Sequence, residues 1–151
     1  MTIFYDYQTK TADLYAGVVT ILREAGLGHW TETGTMSAGD APLIVLGKPG
    51  PTPTRALALN IYTLNTDIEP GVDKMGLAIL IRTPEEIPLE AVQLADKLED
   101  LFHGREHDLL EGKWHIPVMW RHSLADLGPN ENGHYQLSDT YHFYVDVQER
   151  Q

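Results

Sequence analysis

The sequence predicts an α+β fold in which two main helices pack on one face of a mainly antiparallel sheet of four to five strands. Three observations predict it: two segments carry apolar residues at helical spacing, two central segments alternate apolar and polar residues, and the last third of the chain reads as a long C-terminal β-hairpin. The chain has 151 residues, of which 42% are hydrophobic and 22% charged. These values fit a single domain over residues 1–151.

The first helix is predicted over residues 9–26. Its apolar positions recur on one helical face and are Leu14, Val18, Ile21, Leu22 and Ala25. Thr9 or Thr11 can cap its start, and Gly26 can end it. Residues 29–42 are polar and glycine-containing, which predicts a short strand or loop, and the apolar run Leu43–Leu46 predicts a brief buried strand.

A proline-rich arm separates this run from the two central strands. Gly47–Thr54 contains three prolines and two glycines, so it cannot sustain a helix or a central strand and is predicted to be a surface loop or arm. Arg55–Asn65 and Lys74–Thr83 alternate as strands do, and the link Asp67–Asp73 contains a Pro-Gly turn. An antiparallel pair is therefore predicted.

The second helix is predicted over Pro88–His103. Proline suits its first turn, and Gly104 can end it. Its apolar stripe consists of Leu89, Val92, Ala95, Leu98, Leu101 and Phe102. Asp108–Lys113 is predicted to turn the chain into the final hairpin.

The C-terminal hairpin is the most informative part of the chain. One run of equal parity holds Ile116, Val118, Trp120, His122 and Leu124, and a second holds Tyr141, Phe143, Val145 and Val147. Between the runs lies Asp126–Gly133, which is rich in turn-forming residues. This pattern indicates assembly rather than catalysis, because no catalytic or cofactor motif accompanies it.

The charge balance bounds the partners of the protein. There are 22 acidic and 11 basic residues, giving a formal charge of −11. This balance argues against a broad phosphate-binding face, which needs clustered lysine and arginine. It fits either solubility through self-repulsion or an acidic surface along which nucleic acid passes without sticking.

Composition also bounds the compartment. The chain has no cysteine, which excludes disulfides, thiolate zinc sites and cysteine nucleophiles. No apolar run is long enough for a membrane span, and the start lacks a signal-peptide pattern, so synthesis in the cytoplasm is expected.

Histidines and hydroxyl nucleophiles offer no strong site. His103 and His107 lie four apart but lack the His-Glu-x-x-His motif. Two of His115, His122 and His142 can approach across the hairpin, although three converging metal ligands are hard to build there. We therefore predict no catalytic residue, no metal and no cofactor.

Candidate interface residues come from the hairpin and the arm. Tryptophan and tyrosine are enriched at interfaces, and polar loops can dock a partner. The candidates are Trp114, Trp120, Arg121, Asp126, Asn130, Glu131, Tyr135, Lys48 and Pro51. A core position for the tryptophans and a plain surface loop for the polar segments are the alternatives.

The arrangement resembles the tail terminator proteins of long-tailed bacteriophages, which are also described as minor capsid or neck proteins. The resemblance rests on the helix Thr11–Ala25, the strands Leu57–Asn65 and Lys74–Thr83, the helix Pro88–Phe102 and the hairpin Ile116–Val147. Ser123–Gly128 and the returning strand Ser138–Val145 look most like the family. The arm at 47–54 departs from the family pattern.

The resemblance implies a structural virion protein at the tail–neck junction. It implies a ring, usually a homo-hexamer, at the head-proximal end of the tail tube, where one face ends tube polymerisation and the other meets a head-completion (stopper) protein. DNA would pass through the lumen. An acidic lumen would let DNA slide, and rare cations such as Arg55 or Arg121 would slow it.

Other functions fit parts of the same pattern. A different head–tail joining protein, such as a stopper or a tube-like subunit, would share the structural class. A small acidic cytoplasmic binding or inhibitor protein would use the acidic surface against a basic partner. An enzyme would need converging histidine and carboxylate groups, and the spacing of the sequence offers none.

Overall fold

The computed structural model describes residues 9–30, 41–111 and 113–147, in which two helices and seven strands follow one another. In chain order these elements are α1 (Lys10–Glu24), β1 (His29–Trp30), β2 (Leu43–Leu46), β3 (Ala56–Glu69), β4 (Val72–Pro84), α2 (Pro88–Phe102), β5 (Arg105–Leu110), β6 (Trp114–Pro129) and β7 (His134–Asp146). Residues 31–40, most of the segment expected to be a short strand or loop, lie outside the described residues.

The strands form one sheet in the order β1-β2-β3-β4-β7-β6-β5, which curls into a half-barrel. The pairs β1–β2 and β2–β3 are parallel, and the other neighbours are antiparallel. The expected fold class is therefore wrong: the protein is mostly β, with a seven-stranded mixed sheet instead of four to five mainly antiparallel strands. The short strands β1, β2 and β5, at or next to the edges of the sheet, account for much of the difference, because so few residues carry no clear alternation.

Helix α1 begins at Thr9, whose hydroxyl accepts a hydrogen bond from the backbone N–H of Ala12 at 3.3 Å. Its buried face includes Leu14, Val18 and Leu22. Gly17 allows close contact with β5, since a Cβ there would lie 2.9 Å from the Cβ of Leu110. Helix α1 thus packs closely against β5, and it also contacts β1, β3 and β6.

Helix α2 begins with proline in its first turn, where a missing N–H leaves no hydrogen bond unmade. It buries Ala91, Ala95, Leu98 and Phe102. These small and large side chains join the same hydrophobic core as the buried residues of α1. Both helices therefore cover one face of the sheet.

The parity of the central strands separates the two faces of the sheet. Odd-numbered residues face the helices and include Leu57, Leu59, Ile61, Met75, Leu77, Ile79, Ile81, Leu137, Tyr141, Phe143 and Val145. We call the other side the open face. On it the Tyr62 ring lies over Gly76, where a Cβ would come within 2.3 Å of the ring.

The long strands extend further than the turn-forming residues suggest. Pairing of β3 with β4 continues to Glu69–Val72, and pairing of β6 with β7 continues to Pro129–Tyr135. Register shifts absorb the unfavourable residues, and Gly128 takes a positive φ of 72° next to one of them. The predicted loops at Asp67–Asp73 and Asp126–Gly133 are therefore shorter than expected.

The predicted turn at Asp108–Lys113 is also corrected. Its first residues belong to β5, which pairs antiparallel with β6 from Arg105–Met119 to Leu110–Trp114. His107 and Glu111 have positive φ values of 55° and 53°, so the strand is irregular and ends abruptly. Alternation is hard to recognise in such a segment.

The two hairpins project from diagonally opposite corners of the sheet. Strands β4 and β7 pair along their whole length, from Val72–Asp146 to Pro84–His134. The β3–β4 turn lies at the Val72–Asp146 end of this pair, and the β6–β7 turn lies at the Pro84–His134 end. Strand β3 lies beside β4 and strand β6 beside β7, so the two turns are on opposite sides of the pair.

Neither of the helices that the structure describes could span a lipid bilayer.

Candidate functional site

A buried ion pair ties the C-terminal hairpin to α2. The guanidinium of Arg121 donates to both carboxylate oxygens of Asp139, at 2.8 and 3.2 Å, and to the carbonyl oxygen of Ala95 at 2.9 Å. It also lies 3.2 Å from a carboxylate oxygen of Glu99, and the Tyr141 hydroxyl donates to Asp139 at 2.8 Å. We call these five residues the Arg121 clamp. It fixes the point at which β6 leaves the core.

Burial and charge oppose each other within the clamp. Burial raises the pKa of Asp139, and the hydrogen bonds from Arg121 and Tyr141 only partly offset it. Burial lowers the pKa of Arg121, but its hydrogen bond and attraction to Asp139 outweigh burial and leave that pKa raised. Arg121 therefore stays charged, and its bidentate contact favours the ionised form of the fully buried Asp139 carboxyl.

The open face carries a cluster of aromatic and histidine side chains. The imidazoles of His122 and His142 stack with their centroids 3.9 Å apart. Trp120 lies beside them, 6.1 Å from the His142 ring and 5.3 Å from the Tyr144 ring. The ammonium group of Lys74 lies 5.8 Å from the Trp120 ring. We call these five residues the open-face cluster.

The surroundings of His142 disfavour its protonation. Burial lowers the pKa of His142, and the neighbouring His122 and Lys74 lower it further because each disfavours a second positive charge. His142 is 8% exposed, so its neutral ring packs as part of the sheet surface. The cluster is thus an aromatic surface with one ammonium group on the side of the sheet opposite the helices.

The proline-rich arm is fastened to the sheet by a buried arginine. Arg82 donates to the carbonyl oxygens of Thr54 and Pro53, at 3.0 and 2.6 Å. Arg82 is 5% exposed, and burial lowers its pKa. The hydrogen bonds from the buried guanidinium therefore hold the main chain at the end of the arm in place, and the carbonyl groups in turn satisfy the guanidinium.

Among the described residues, the large hydrophobic side chains that are exposed fall into two groups. One group is Tyr62, Leu64 and Ile68 on the outer half of β3, which we call the β3 patch. The other is Leu124 and Leu127 on the outer half of β6 together with Ile87, Leu89 and Val92 at the start of α2, which we call the β6–α2 patch. Where exposed apolar side chains form a contiguous patch, such a patch is typical of a surface that contacts a partner.

Comparison with known proteins identifies the kind of particle in which these surfaces work. The family model described as bacteriophage tail terminator protein matches residues 21–147. This chain belongs to that family. It is accordingly a structural component of a phage tail and is located in the virion.

A solved virion structure shares the fold of this tail terminator family member. The chain superposes on a chain from the structure titled "Virion of native gene transfer agent (GTA) particle" with a TM-score of 0.66 and 16% sequence identity. The match covers 93% of this chain and 99% of that chain. A search of curated proteins finds no match.

The two tryptophans predicted as interface residues of this tail terminator family member lie in different environments. The Trp114 indole N–H donates to Asp13 of α1 at 2.8 Å, so this ring packs against a helix. Trp120 lies in the open-face cluster. Arg121, a third candidate, is held in the clamp, with its side chain 15% exposed. The assignment of these residues to an interface stays a prediction.

The hairpin turn is organised by its own hydrogen bonds. The Asn130 side-chain oxygen accepts from the backbone N–H groups of Asn132 and His134, at 2.9 and 3.1 Å. The Tyr135 hydroxyl donates to Asp126 at 2.5 Å. Glu131 is exposed at the turn, so it is the best placed of these residues for contact with another protein.

The arm candidates Lys48 and Pro51 are both exposed. The arm lies beside β3, since Gly47 donates its backbone N–H to the carbonyl oxygen of Leu59 at 2.8 Å and accepts from the Asn60 side chain at 3.2 Å. The structure therefore holds both candidates on an ordered loop. Their contact with a partner stays a prediction.

The histidines form pairs rather than a metal site. His107 lies over His115 with a ring nitrogen distance of 3.4 Å, and His115 contacts the Asp146 carboxylate at 2.6 Å. Within the part of the chain that the structure describes, no group of three histidine, aspartate or glutamate side chains could hold a metal ion. His103 instead accepts a hydrogen bond from the backbone N–H of Arg121 at 2.9 Å.

The residue patterns did not predict the two apolar patches or the carbonyl contacts of Arg82. The β6–α2 patch had a signal, because Leu127 stands in the segment Asp126–Gly133, which is otherwise polar and rich in turn-forming residues. Arg82 had none, since an arginine within an apolar strand gives no indication of which carbonyl groups it meets.

Proposed function

We propose that this tail terminator family member forms a ring, most simply a hexamer, at the head-proximal end of the tail tube. There it ends tube polymerisation and joins the tail to the head. The observation that carries this proposal is the family match over residues 21–147, which includes both long hairpins, α2 and the sheet between them. Its partners would be copies of itself, the tail tube protein and a head-completion protein.

The surface of the subunit supports assembly rather than catalysis. All the large hydrophobic side chains that are exposed in the described residues fall in the β3 patch or the β6–α2 patch. In an assembled particle these patches would be covered, which explains why such side chains are placed at the surface. We infer a structural, non-enzymatic role that uses no cofactor.

The charge distribution supports passage of DNA through the ring without tight binding. Four arginines of the described residues have internal partners: Arg55 binds Glu90, Arg105 binds Asp108, Arg121 binds Asp139, and Arg82 binds main-chain carbonyls. With a formal charge of −11, the remaining surface would repel phosphates and let DNA slide. Arg55 and Arg121 are thus poorly placed to slow DNA.

The hairpin turn supplies a candidate contact with the tube or head proteins. Glu131 is exposed there, and the hydrogen bonds of Asn130 fix the turn that presents it. Lys48 and Pro51 on the arm offer a second polar contact. Preorganised loops of this kind bind with little loss of conformational entropy.

Two measurements test the proposal. Light scattering behind a sizing column should give a mass of six times 16.9 kDa as concentration rises, or after tail tubes are added. Adding the protein to polymerising tube subunits should shorten the tubes seen by electron microscopy. A monomer that leaves tube length unchanged would contradict the proposal and favour a small acidic binding protein.

A charge-reversal pair tests the hairpin contact. Glu131→Lys should weaken capture of tube ends or of the head-completion protein, while Glu24→Lys, an equal change at the exposed end of α1, should not. Equal behaviour of both variants would remove the hairpin turn from the contact. Unchanged tube shortening in both would leave the ring proposal intact.

A further inference from the structure

We propose that neighbouring subunits of the ring meet head to tail, the β3 patch of one copy covering the β6–α2 patch of the next. This inference rests on the proposed ring and names the surfaces that would close it. It concerns contacts between copies of this chain, separate from the contacts with tube or head.

The members of the β6–α2 patch belong together because α2 runs antiparallel beside the outer half of β6. The Arg121 clamp joins β6 to Ala95 and Glu99 of α2. At the other end, the backbone N–H of Glu85 donates to the carbonyl oxygen of Gly133 at 3.0 Å, which places the start of α2 near the hairpin turn. Leu124 and Leu127 therefore lie on the stretch of β6 that the first turns of α2 accompany.

The two patches differ from each other and lie far apart on the subunit. The β3 patch is at the corner of the β3–β4 turn, and the β6–α2 patch is at the diagonally opposite corner of the sheet. A contact between two different surfaces is heterologous, so each copy keeps one free patch until a closed ring forms. A two-fold dimer would cover both patches only by placing both corners against the partner at once, which needs one interface across the whole sheet.

The contact is carried by side chains rather than by addition of a strand. The outer half of β6 has register shifts between Arg121 and Ser123 and between Asp126 and Gly128, and it ends at Pro129. Such irregularities and a proline blunt a sheet edge against main-chain pairing. Leu124 and Leu127 nonetheless stay 43% and 54% exposed, so apolar contact is the interaction they offer.

The area of the patches favours a second copy of this chain, within a closed ring, as the protein that covers them. The exposed parts of the eight side chains would bury on the order of 600 Å² of apolar surface per contact. A standard interface buries about 1,600 Å², of which roughly 900 Å² is apolar. One contact is thus too small for a stable dimer, whereas ring closure gives every subunit two.

Cross-linking tests the pairing directly, because the natural chain has no cysteine. The double variant Leu64→Cys/Leu127→Cys, treated with a short bismaleimide, should give a ladder of covalent oligomers ending at the ring size. Neither single variant should go beyond the monomer. The control pair Leu64→Cys/Glu24→Cys joins the β3 patch to a site outside both patches and should give no ladder. Dimers from a single variant, or a double variant whose ladder stops at the dimer, would show a two-fold contact and overturn the inference.

Charge insertion provides a second measurement that separates this inference from the proposed function. Leu64→Asp and Leu127→Asp should each raise the concentration at which rings form by at least about tenfold. Rings that persist in both variants, with no ladder in the double cysteine variant, would overturn the inference and leave the ring intact. A wild-type chain that stays monomeric, alone and with tail tubes, would instead refute the ring proposal.

Discussion

The Arg121 clamp makes the sharpest prediction, because removing one partner of a buried ion pair leaves the other without compensation. Arg121→Met keeps the length and apolar stem of the side chain but leaves Asp139 fully buried without its guanidinium. Removing one partner of such a pair generally costs about 3–5 kcal/mol. For a domain of this size, that loss corresponds to a melting temperature lower by roughly 6–20 °C.

The matched control is Arg105→Met. Arg105 pairs with Asp108 three residues along the chain, but the two side chains are 31% and 22% exposed. Solvent screens such a pair, so the same chemical change should cost about 1 kcal/mol or less. The comparison holds the side-chain replacement constant and varies the burial of the partner.

A double variant separates the loss of charge pairing from the loss of packing. In Arg121→Met/Asp139→Asn the buried charge is gone, and the amide oxygen still accepts from Tyr141. We expect this variant to recover much of the stability lost in Arg121→Met. Urea unfolding monitored by tryptophan fluorescence measures all three variants. If Arg121→Met costs no more than Arg105→Met, the argument from burial is refuted.

Three further outcomes follow from other parts of the structure. Gly76→Ala should lower the unfolding free energy by about 1–3 kcal/mol because its Cβ enters the ring of Tyr62, and Tyr62→Ala in the same chain should restore much of it; equal loss in both would contradict this cause. The pKa of His142 is lowered in the folded state, so the unfolded state binds more protons when the pH falls below the ordinary histidine value near 6.5. The melting temperature should therefore fall from pH 7 to pH 5, and it should fall less steeply in His142→Gln. An equal slope in both proteins would show that His142 does not cause the pH dependence. Arg82→Met should free the carbonyls of the arm and speed proteolysis within Gly47–Thr54, and an unchanged cleavage rate would show that other contacts hold the arm.

Local patterns predicted the elements whose residues repeat over many positions. The helix predicted over Pro88–His103 was recognised because its apolar stripe spans four turns. It ends at Phe102, one residue before the expected end. The helix predicted over 9–26 runs over Lys10–Glu24 and starts at the Thr9 cap. Such elements are recognisable since burial of one face requires a regular spacing.

The same reasoning failed where few residues or irregular backbone were involved. The turn predicted over Asp108–Lys113 includes the second half of β5, because the charged Asp108 and Glu111 hide the pairing of this segment with β6. The parallel edge of β1 and β2 was incompletely predicted, and the fold class was wrong as a result. Short segments take their conformation from the neighbouring strand rather than from their own pattern.

The candidate site shows the same division. The sequence placed Trp120, Arg121 and His142 on the hairpin, and the resemblance named the family that the chain belongs to. The sequence could not show that Arg121 pairs with the buried carboxylate of Asp139, or that His122 and His142 stack across the strands. Those facts depend on strand register, and a bulge between Arg121 and Ser123 changes which residues face each other.

The sequence by itself determined the two helices, the central strands, the acidic balance, the lack of thiol chemistry and the family. Only the tertiary structure decided the strand order, the buried partner of Arg121 and the two corners where apolar side chains stay exposed. The physical reason is sequence separation. Spacing within a segment records which face is buried, whereas contacts such as that of Trp114 with Asp13, 101 residues away, are fixed when all segments pack together.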